Sequence, residues 1–434
     1  MGFSSGLPLL LTLTLVPAWM TERGISVEVI GLFALVGLPY TFKFLWSPLF
    51  DRFRVPLLGR RRGWLLVLQI ILALAIIGLG LTGVPNANLL ATADPARVIG
   101  ASPFAPPLQL LPHLIDTYTG ALGDVMPGLV AVATASLLVA FFSASQDTLI
   151  DAYRRESLRN DDEQSLGASL YVWGYRVAML FAGGGGLIFA SHMPFRDVFL
   201  IMAGAMGVGI VTTFIAREPE ESGTPPQTIA EAVIEPFLAF FREHRRAVVI
   251  LAFILLYKLG EAMATNLTTT YYIKLGFSTE TIGAVAKLFG FWALMGGVLA
   301  GGALILKLGM RRGLFAFGIM QVVASASYAV LTQTGPLIGW LSAVITLENF
   351  SAGLGTAALV GFMATVTDRR FTATQYALLS SLASVSRVIL SSFTGFMAAS
   401  LGWELFFIVC GLAGIPGLIL IPFLGNTSTE AGST

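Results

Sequence analysis

Residues 24–31 read GISVEVIG, and residues 276–283 read GFSTETIG. Five of the eight positions are identical, and the two stretches start 252 residues apart in a chain of 434 residues. Each lies between the first and second long apolar stretches of its half, and a basic loop follows the second in both halves, DRFRVPLLGRRR at 51–62 and KLGMRR at 307–312. The repeat therefore predicts two halves of one fold.

The composition indicates a membrane protein. Hydrophobic residues make up 55% of the chain and charged residues 12%, and the mean hydropathy is +0.79. Soluble domains carry roughly 25% charged residues. We predict twelve membrane-spanning helices, because a helix of about 20 apolar residues crosses the ~30 Å of hydrocarbon. Their ranges are 2–20, 28–50, 64–84, 128–152, 166–191, 196–216, 247–273, 279–306, 313–332, 337–365, 374–400 and 404–424.

The polar segments divide these helices six and six. We expect an N-terminal bundle at 1–216 with a periplasmic insert at 85–126, a central cytoplasmic loop at 217–246, and a C-terminal bundle at 247–434. An even number of spans keeps the two halves parallel, as in the major facilitator fold. The expected fold class is all-α integral membrane, with twelve transmembrane helices in two pseudo-symmetric six-helix bundles. The first span starts without a basic flank, so we expect further residues upstream.

Lysine and arginine predict the orientation. With both termini in the cytoplasm, the inside loops hold seventeen of these residues and the outside loops hold four. Positive residues collect on the cytoplasmic side of membrane proteins. A formal net charge of +1 gives no reason to expect a nucleic-acid partner. The single cysteine, Cys410, lies in an apolar stretch, and the three histidines lie in predicted loops. We therefore expect no metal site and no cofactor.

Ionisable residues are distributed unevenly among the predicted spans. They are Lys43 in span 2, Asp147 in 4, Arg176 in 5, Lys258 and Glu261 in 7, Lys287 in 8, Glu348 in 10 and Arg387 in 11. Apart from Arg196, Asp197 and Glu404 at the span ends, spans 3, 6, 9 and 12 carry none. In the major facilitator fold every third helix packs outside and the others line a central cavity. The distribution fits that arrangement, because charges in a membrane are costly and usually functional.

Asp147 is the first candidate for a proton-carrying group, in the stretch SASQDTLIDAYRR at 143–155. A carboxylate inside a span must be paired or protonated, so a moving partner can switch it. The alternative is a fixed ion pair with Arg176 that joins two helices. Glu348 and Glu261 are the further candidates for proton coupling. Asp151, one turn outward, is read as an interface anchor beside basic residues.

The buried cations outnumber the buried acids, which favours an anionic substrate. The candidate substrate-binding residues are Tyr40, Lys43, Gln146, Tyr175, Arg176, Tyr257, Lys258, Asn266, Thr269, Lys287, Asn349 and Arg387. Three alternatives remain open: Lys258 and Glu261 can form a static pair along one helix face, the polar groups at 266–270 can bond neighbouring helices, and Lys43 can extend to the membrane surface. Asp51, Arg52 and Arg60 are candidate gating residues, although this loop can equally only set topology.

Several segments resemble the AmpG-type muropeptide permeases of Gram-negative bacteria. They are GFSSGLPLLL at 2–11, AWMTERGI at 18–25, KFLWSPLFDRF at 43–53, GRRRGWLL at 59–66, FSASQDTLIDAYR at 142–154, GYRVAML at 174–180, LYKLGEAMATNLTTTYYI at 256–273, ENFSAGLGTAALVGFM at 348–363 and ATQYALLSSLASVSRV at 373–388. The resemblance implies a transporter that imports GlcNAc–1,6-anhydroMurNAc peptides from the periplasm, driven by the proton gradient. It further implies roles in cell-wall recycling and β-lactamase induction, and an essential Asp147.

The insert at 85–126 departs from the family, which has a short link there. We expect a monomer in the bacterial inner membrane, with protons and an anionic glycopeptide as its partners in transport. The alternative is a major facilitator carrier of another bulky anion, such as an acyl-CoA or a peptide. A membrane enzyme is disfavoured, because the sequence has no acidic metal cluster and no G-x-S-x-G nucleophile elbow at a strand–helix turn.

Overall fold

The computed structural model of the chain describes residues 1–46, 50, 53, 55, 58–86, 107–158, 161–219, 241–242, 246–366 and 372–424. Twelve helical segments run through these ranges. They are α1 (Gly2–Glu22), α2 (Val27–Phe42), α3 (Arg60–Thr82), α4 (Pro107–Ser157), α5 (161–192), α6 (Phe195–Ile215), α7 (Ala247–Lys274), α8 (Thr279–Leu308), α9 (Met310–Thr334), α10 (Ile338–Thr365), α11 (372–401) and α12 (403–423).

The helices have the length and apolar character that a membrane crossing needs. Within the described ranges, ten helices meet this requirement and Val27–Phe42 is a shorter apolar helix. One of the ten, Ser381–Phe423, contains left-handed backbone at Gly402 (φ 73°), where α11 ends and α12 begins. The predicted all-helical fold is confirmed for the described residues, in which ten helices are long and apolar enough to cross a membrane and α2 is a shorter apolar helix.

Two boundaries differ from the prediction. Helix α4 begins at Pro107, so the described part of the predicted insert continues the helix of span 4. Helix α2 ends at Phe42 rather than near residue 50, and the chain passes there into a 3-10 turn, Lys43–Leu45.

Glycines with positive φ recur at matching positions of the two halves. Gly24 and Gly276 have φ of 75° and 95°, and Gly83 and Gly335 have φ of 70° and 69°. Both pairs are 252 residues apart, the offset of the sequence repeat. Only glycine adopts this backbone without strain. The loops after the first and third helices of each half therefore turn in the same way.

The two halves touch through the last glycine of each repeat. A Cβ on Gly31 of α2 would lie 2.6 Å from the amide nitrogen of Gly395 in α11, and a Cβ on Gly283 of α8 would lie 2.7 Å from the carbonyl oxygen of Gly184 in α5. Small residues permit this approach of helix backbones. We call the side of the loops at 23–26 and 275–278 the repeat side.

The repeat side also carries hydrogen bonds between helices. The hydroxyl of Thr21 in α1 donates to that of Thr270 in α7 at 3.0 Å. The amide of Asn266 donates to the carbonyl of Ser391 and the hydroxyl of Thr394, both at 2.9 Å. The Thr21–Thr270 bond joins the two halves and adds to the glycine contacts, whereas the two Asn266 bonds lie within the C-terminal half. The opposite side, where α3 starts at Arg60 and α4 passes Arg154, is called the arginine side.

Candidate functional site

Asp147 lies on α4, about two turns from the arginine side, and only 8% of it is exposed. The hydroxyl of Ser5 in α1 donates a hydrogen bond to its carboxylate. The hydroxyl of Tyr171 in α5 lies 2.8 Å from Ser5 Oγ. The adjacent Gln146 is fully buried and donates to the carbonyl of Ser4 at 2.8 Å. Three helices therefore meet at the SASQD segment.

Glycines bring α1 close enough to α5 for these bonds. A Cβ on Gly2 would lie 2.2 Å from the carbonyl oxygen of Tyr171, and a Cβ on Gly6 would lie 2.3 Å from that of Tyr175. The two glycines are four residues apart and lie on one helix face, a spacing that favours close helix packing. This close packing of the segment GFSSG places Ser4 and Ser5 next to α4, and Ser5 also next to α5. Sequence reasoning missed Ser5 and Tyr171, although the glycine spacing was a usable signal.

The positive charge acting on Asp147 comes from Lys43. Lys43, at the end of α2, acts electrostatically on the carboxylate. Arg176 acts on Tyr175 instead, and among the described contacts no ion pair joins it to Asp147. Hydroxyl groups and one nearby lysine charge therefore surround this carboxylate, without a salt bridge in the described residues.

Residues of both halves meet beside this cluster. Arg387 of α11 is exposed and acts electrostatically on Tyr40 of α2 and Tyr175 of α5. The two phenols also lie near Asp147. An exposed guanidinium whose charge acts on two phenols offers a charge for an anionic group beside two aromatic rings. Three of the predicted substrate-binding residues are thereby brought together.

A second polar cluster lies in the C-terminal half. Lys258 is at a break in α7 (φ −105°, ψ 11°), and its ammonium is 3.0 Å from Glu261 and 2.7 Å from the hydroxyl of Thr356. Glu348 of α10 is 6% exposed and experiences the charges of Glu261, Lys258 and Lys287. Two acids and two lysines are thus grouped, and the Lys258–Glu261 pair foreseen as one alternative is formed.

Other predicted residues are engaged in packing. Tyr257 is 3% exposed and donates to the carbonyl of Leu314 at 3.0 Å. Thr269 is 6% exposed. Asn349 donates to the carbonyl of Ile345 in its own helix at 3.1 Å. Asn266 bonds α11, as described above. Their role in substrate binding stays a prediction, and each of these side chains already has a structural task or a buried position.

The predicted gate is described only at Arg60, because Asp51 and Arg52 lie outside the described residues. Arg60 binds Glu156 of α4 at 3.0 Å, and Arg61 binds the same carboxylate. Partial burial works to raise the pKa of Glu156, but the hydrogen bonds and charges of Arg61 and Arg60 outweigh it and lower that pKa. Both arginines thus tie α3 to α4 within one half.

Comparison with known proteins gives a family and a fold. The family model of the Major Facilitator Superfamily matches residues 1–387. The anhydromuropeptide permease of Escherichia coli K12 is 37% identical over 425 residues, covering 97% of this chain and 77% of that protein. The putative transporter AmpG 4 of Rickettsia felis is 31% identical over 436 residues, covering 98% of this chain and 95% of that protein.

Solved structures share the fold at low sequence identity. A bacterial homologue of the human lysosomal transporter Spinster, inward-facing and unoccupied, has a TM-score of 0.66 and 13% identity, covering 98% of this chain and 95% of that one. The xylose transporter XylE of E. coli, in an inward open conformation, has a TM-score of 0.62 and 13% identity, covering 99% and 94%.

Proposed function

Because the chain belongs to the Major Facilitator Superfamily and to the anhydromuropeptide permease family within it, we propose that it imports anhydromuropeptides together with protons. The substrates are GlcNAc–1,6-anhydroMurNAc and its peptides. The proposal rests above all on the 37% identity to the E. coli anhydromuropeptide permease, which extends over 97% of this chain. No cofactor is required, since the proton gradient supplies the energy.

The orientation of the protein in the membrane is inferred from the charge distribution. The arginine side carries most of the basic residues and therefore faces the cytoplasm, with both termini. The halves are in contact on the repeat side, so the described arrangement is closed toward the periplasm. Separation of the glycine contacts would open the periplasmic side and complete an alternating-access cycle.

The proposed substrate contacts involve residues of both halves that lie near each other. Arg387 binds a carboxylate of the peptide or of the anhydromuramyl group, since a guanidinium fits a carboxylate in a bidentate way. Tyr40 and Tyr175 face the sugars. Substrate bound there touches α2, α5 and α11, so it connects the movements of the two halves.

Proton coupling is assigned to Asp147. The carboxylate is buried, hydrogen-bonded to a hydroxyl, and without a salt bridge among the described contacts. A buried carboxylate without an ion pair is costly when charged and is readily protonated. Glu348 and Glu261 have lysines in their cluster, and they are the second choice for the proton.

The test is uptake in an E. coli strain that lacks its own muropeptide permease. We expect the chain to accumulate radiolabelled GlcNAc–anhydroMurNAc-tripeptide, and a protonophore to abolish the accumulation. Asp147→Asn should lose uptake while reaching the membrane in normal amount. Asp197→Asn, which changes an exposed carboxylate at the start of α6, is the matched control.

Each other outcome corrects a separate element of the proposal. Gradient-driven uptake that survives Asp147→Asn would move the proton to Glu348 or Glu261. Uptake that ignores the protonophore would contradict proton coupling. Absence of uptake by the native chain, with expression confirmed, would favour another bulky anion such as an acyl-CoA or a peptide.

A further inference from the structure

Two hydroxyl groups connect Asp147 to the arginine side. Ser5 donates its proton to the carboxylate, so the second hydrogen bond, between Ser5 and Tyr171 at 2.8 Å, takes its proton from Tyr171. A hydroxyl has one proton to donate and can accept others. When Asp147 is ionised, the chain of hydrogen bonds therefore runs from Tyr171 through Ser5 to its carboxylate.

The ring of Tyr171 lies beside charged groups near the end of α4. The guanidinium of Arg154 lies 5.4 Å from the centre of the Tyr171 ring. Arg154 is also 3.6 Å from Asp151, whose side chain is 37% exposed and whose charge acts on Tyr171. Exposure thus rises from 8% at Asp147 to 26% at the Arg154 side chain and 37% at the Asp151 side chain.

The surroundings of Asp147 provide a single hydroxyl route of this kind among the described contacts. The titratable or charged groups acting near it are Lys43 and Tyr40 from α2, Tyr171 and Tyr175 from α5, and Asp151 on its own helix. Of these, Tyr171 is bonded to the hydroxyl that binds the carboxylate. Glycine packing of α1 on α5 fixes this contact.

We propose that Ser5 and Tyr171 carry the proton between Asp147 and the arginine side, a step that rests on the coupling role proposed for Asp147. In release, the O–H bond of Asp147 breaks as Ser5 Oγ accepts its proton. Ser5 passes its own proton to the Tyr171 oxygen, and Tyr171 gives its proton to water beside Asp151. The hydroxyl oxygens of Ser5 and Tyr171 each end with one hydrogen, and Asp147 loses one proton to water.

The first test measures protonation of Asp147 directly and needs no substrate. After a pH jump, time-resolved infrared spectroscopy of the purified chain follows its carboxyl band, identified by its loss in Asp147→Asn. We expect Tyr171→Phe, which keeps the ring beside Arg154, to slow protonation about tenfold; this is less than the ~10² of a lost acid–base group because water can enter the gap. Tyr153→Phe, which removes a hydroxyl bonded to the Arg217 carbonyl, is the matched control.

The second test compares two transport modes in proteoliposomes. Tyr171→Phe and Ser5→Ala should slow proton-driven uptake and leave the exchange of labelled for unlabelled substrate within about twofold, because exchange needs no proton release. Ser4→Ala, which removes a neighbouring buried hydroxyl bonded to the Met1 carbonyl, is the control. Equal loss of both modes would show a structural role only and overturn the relay.

The outcomes separate the relay from the function on which it rests. An Asp147 band that titrates at the native rate in Tyr171→Phe overturns the relay and leaves coupling intact. A carboxyl that never changes protonation between about pH 5 and 9 overturns both the relay and the coupling role. Labelled muropeptide uptake reports the substrate independently of either result.

Discussion

Alanine at the two repeat glycines should separate the halves on the repeat side. The Cβ of Gly31→Ala would be 2.6 Å from a backbone nitrogen of the other half, which is 0.8 Å short of an ordinary 3.4 Å contact. The Cβ of Gly283→Ala would be 0.7 Å short of that contact against a carbonyl oxygen. Both obstacles are backbone atoms, so whole helices must move apart.

The energy is large enough to change the populated state. Overpacking costs about 1–3 kcal/mol at each site, and the two sites lie on different helix pairs, so their effects should roughly add. The sum, about 2–6 kcal/mol, includes the ~5.5 kcal/mol that moves an equilibrium from 99:1 to 1:99. Each single variant should shift the population partly, and the double variant should shift it almost completely.

Spin-label distances between the two loops measure this shift. Labels at Arg23→Cys and Glu280→Cys are exposed on the repeat side, and the buried Cys410 is replaced by alanine in the background. The double glycine variant should lengthen this distance. Gly302→Ala in α8, whose added Cβ meets no atom within 4 Å, should leave it unchanged.

An unchanged distance in a folded double variant would refute the reasoning. It would mean that the glycine contacts do not hold the closed side together. Loss of folded protein instead of a longer distance would show that the closed state is the one stable packing, and unfolding temperature distinguishes this outcome.

Two further predictions concern ion pairs. Lys258→Met should lower the unfolding temperature in detergent more than the double variant Lys258→Met/Glu261→Met, because the single change leaves a largely buried carboxylate unpaired; the opposite order would contradict this. Because the pKa of Glu156 is lowered below 4.5, its contribution to stability is present above that pH and is lost as the pH falls through the lowered value. Unfolding temperature followed across this range should decline less steeply in Glu156→Gln, and parallel curves would contradict the assignment.

The repeat could be predicted from the sequence because its glycines meet backbone requirements that apply at single positions. Gly24 and Gly276 supply positive φ in short loops, and Gly31 and Gly283 permit helix contact. Each requirement applies to one position, so the same residue occurs at matching positions of both halves. Apolar length, likewise, identifies helices without knowledge of their neighbours.

The partner of Asp147 could not be predicted, because it depends on how three helices meet. Sequence position offered Arg176 as one possible partner, whereas the described contact is made by Ser5, 142 residues away. A serine in an apolar helix gives no signal of its own. The signal was indirect. The spacing of Gly2 and Gly6 predicts a helix face for close packing, and that face fixes the position of Ser5 relative to α5.

The two halves share a scaffold but differ in chemistry. The C-terminal cluster balances Glu261 and Glu348 with two lysines, so protonating one acid leaves excess positive charge there. Asp147 has hydroxyls and the charge of Lys43, so its protonation changes the field felt by Tyr40 and Tyr175. These are the residues that Arg387 of the other half also faces. If the substrate binds at Arg387 as proposed, a proton at Asp147 changes the electric field at that site between the halves, which is the physical requirement for coupling.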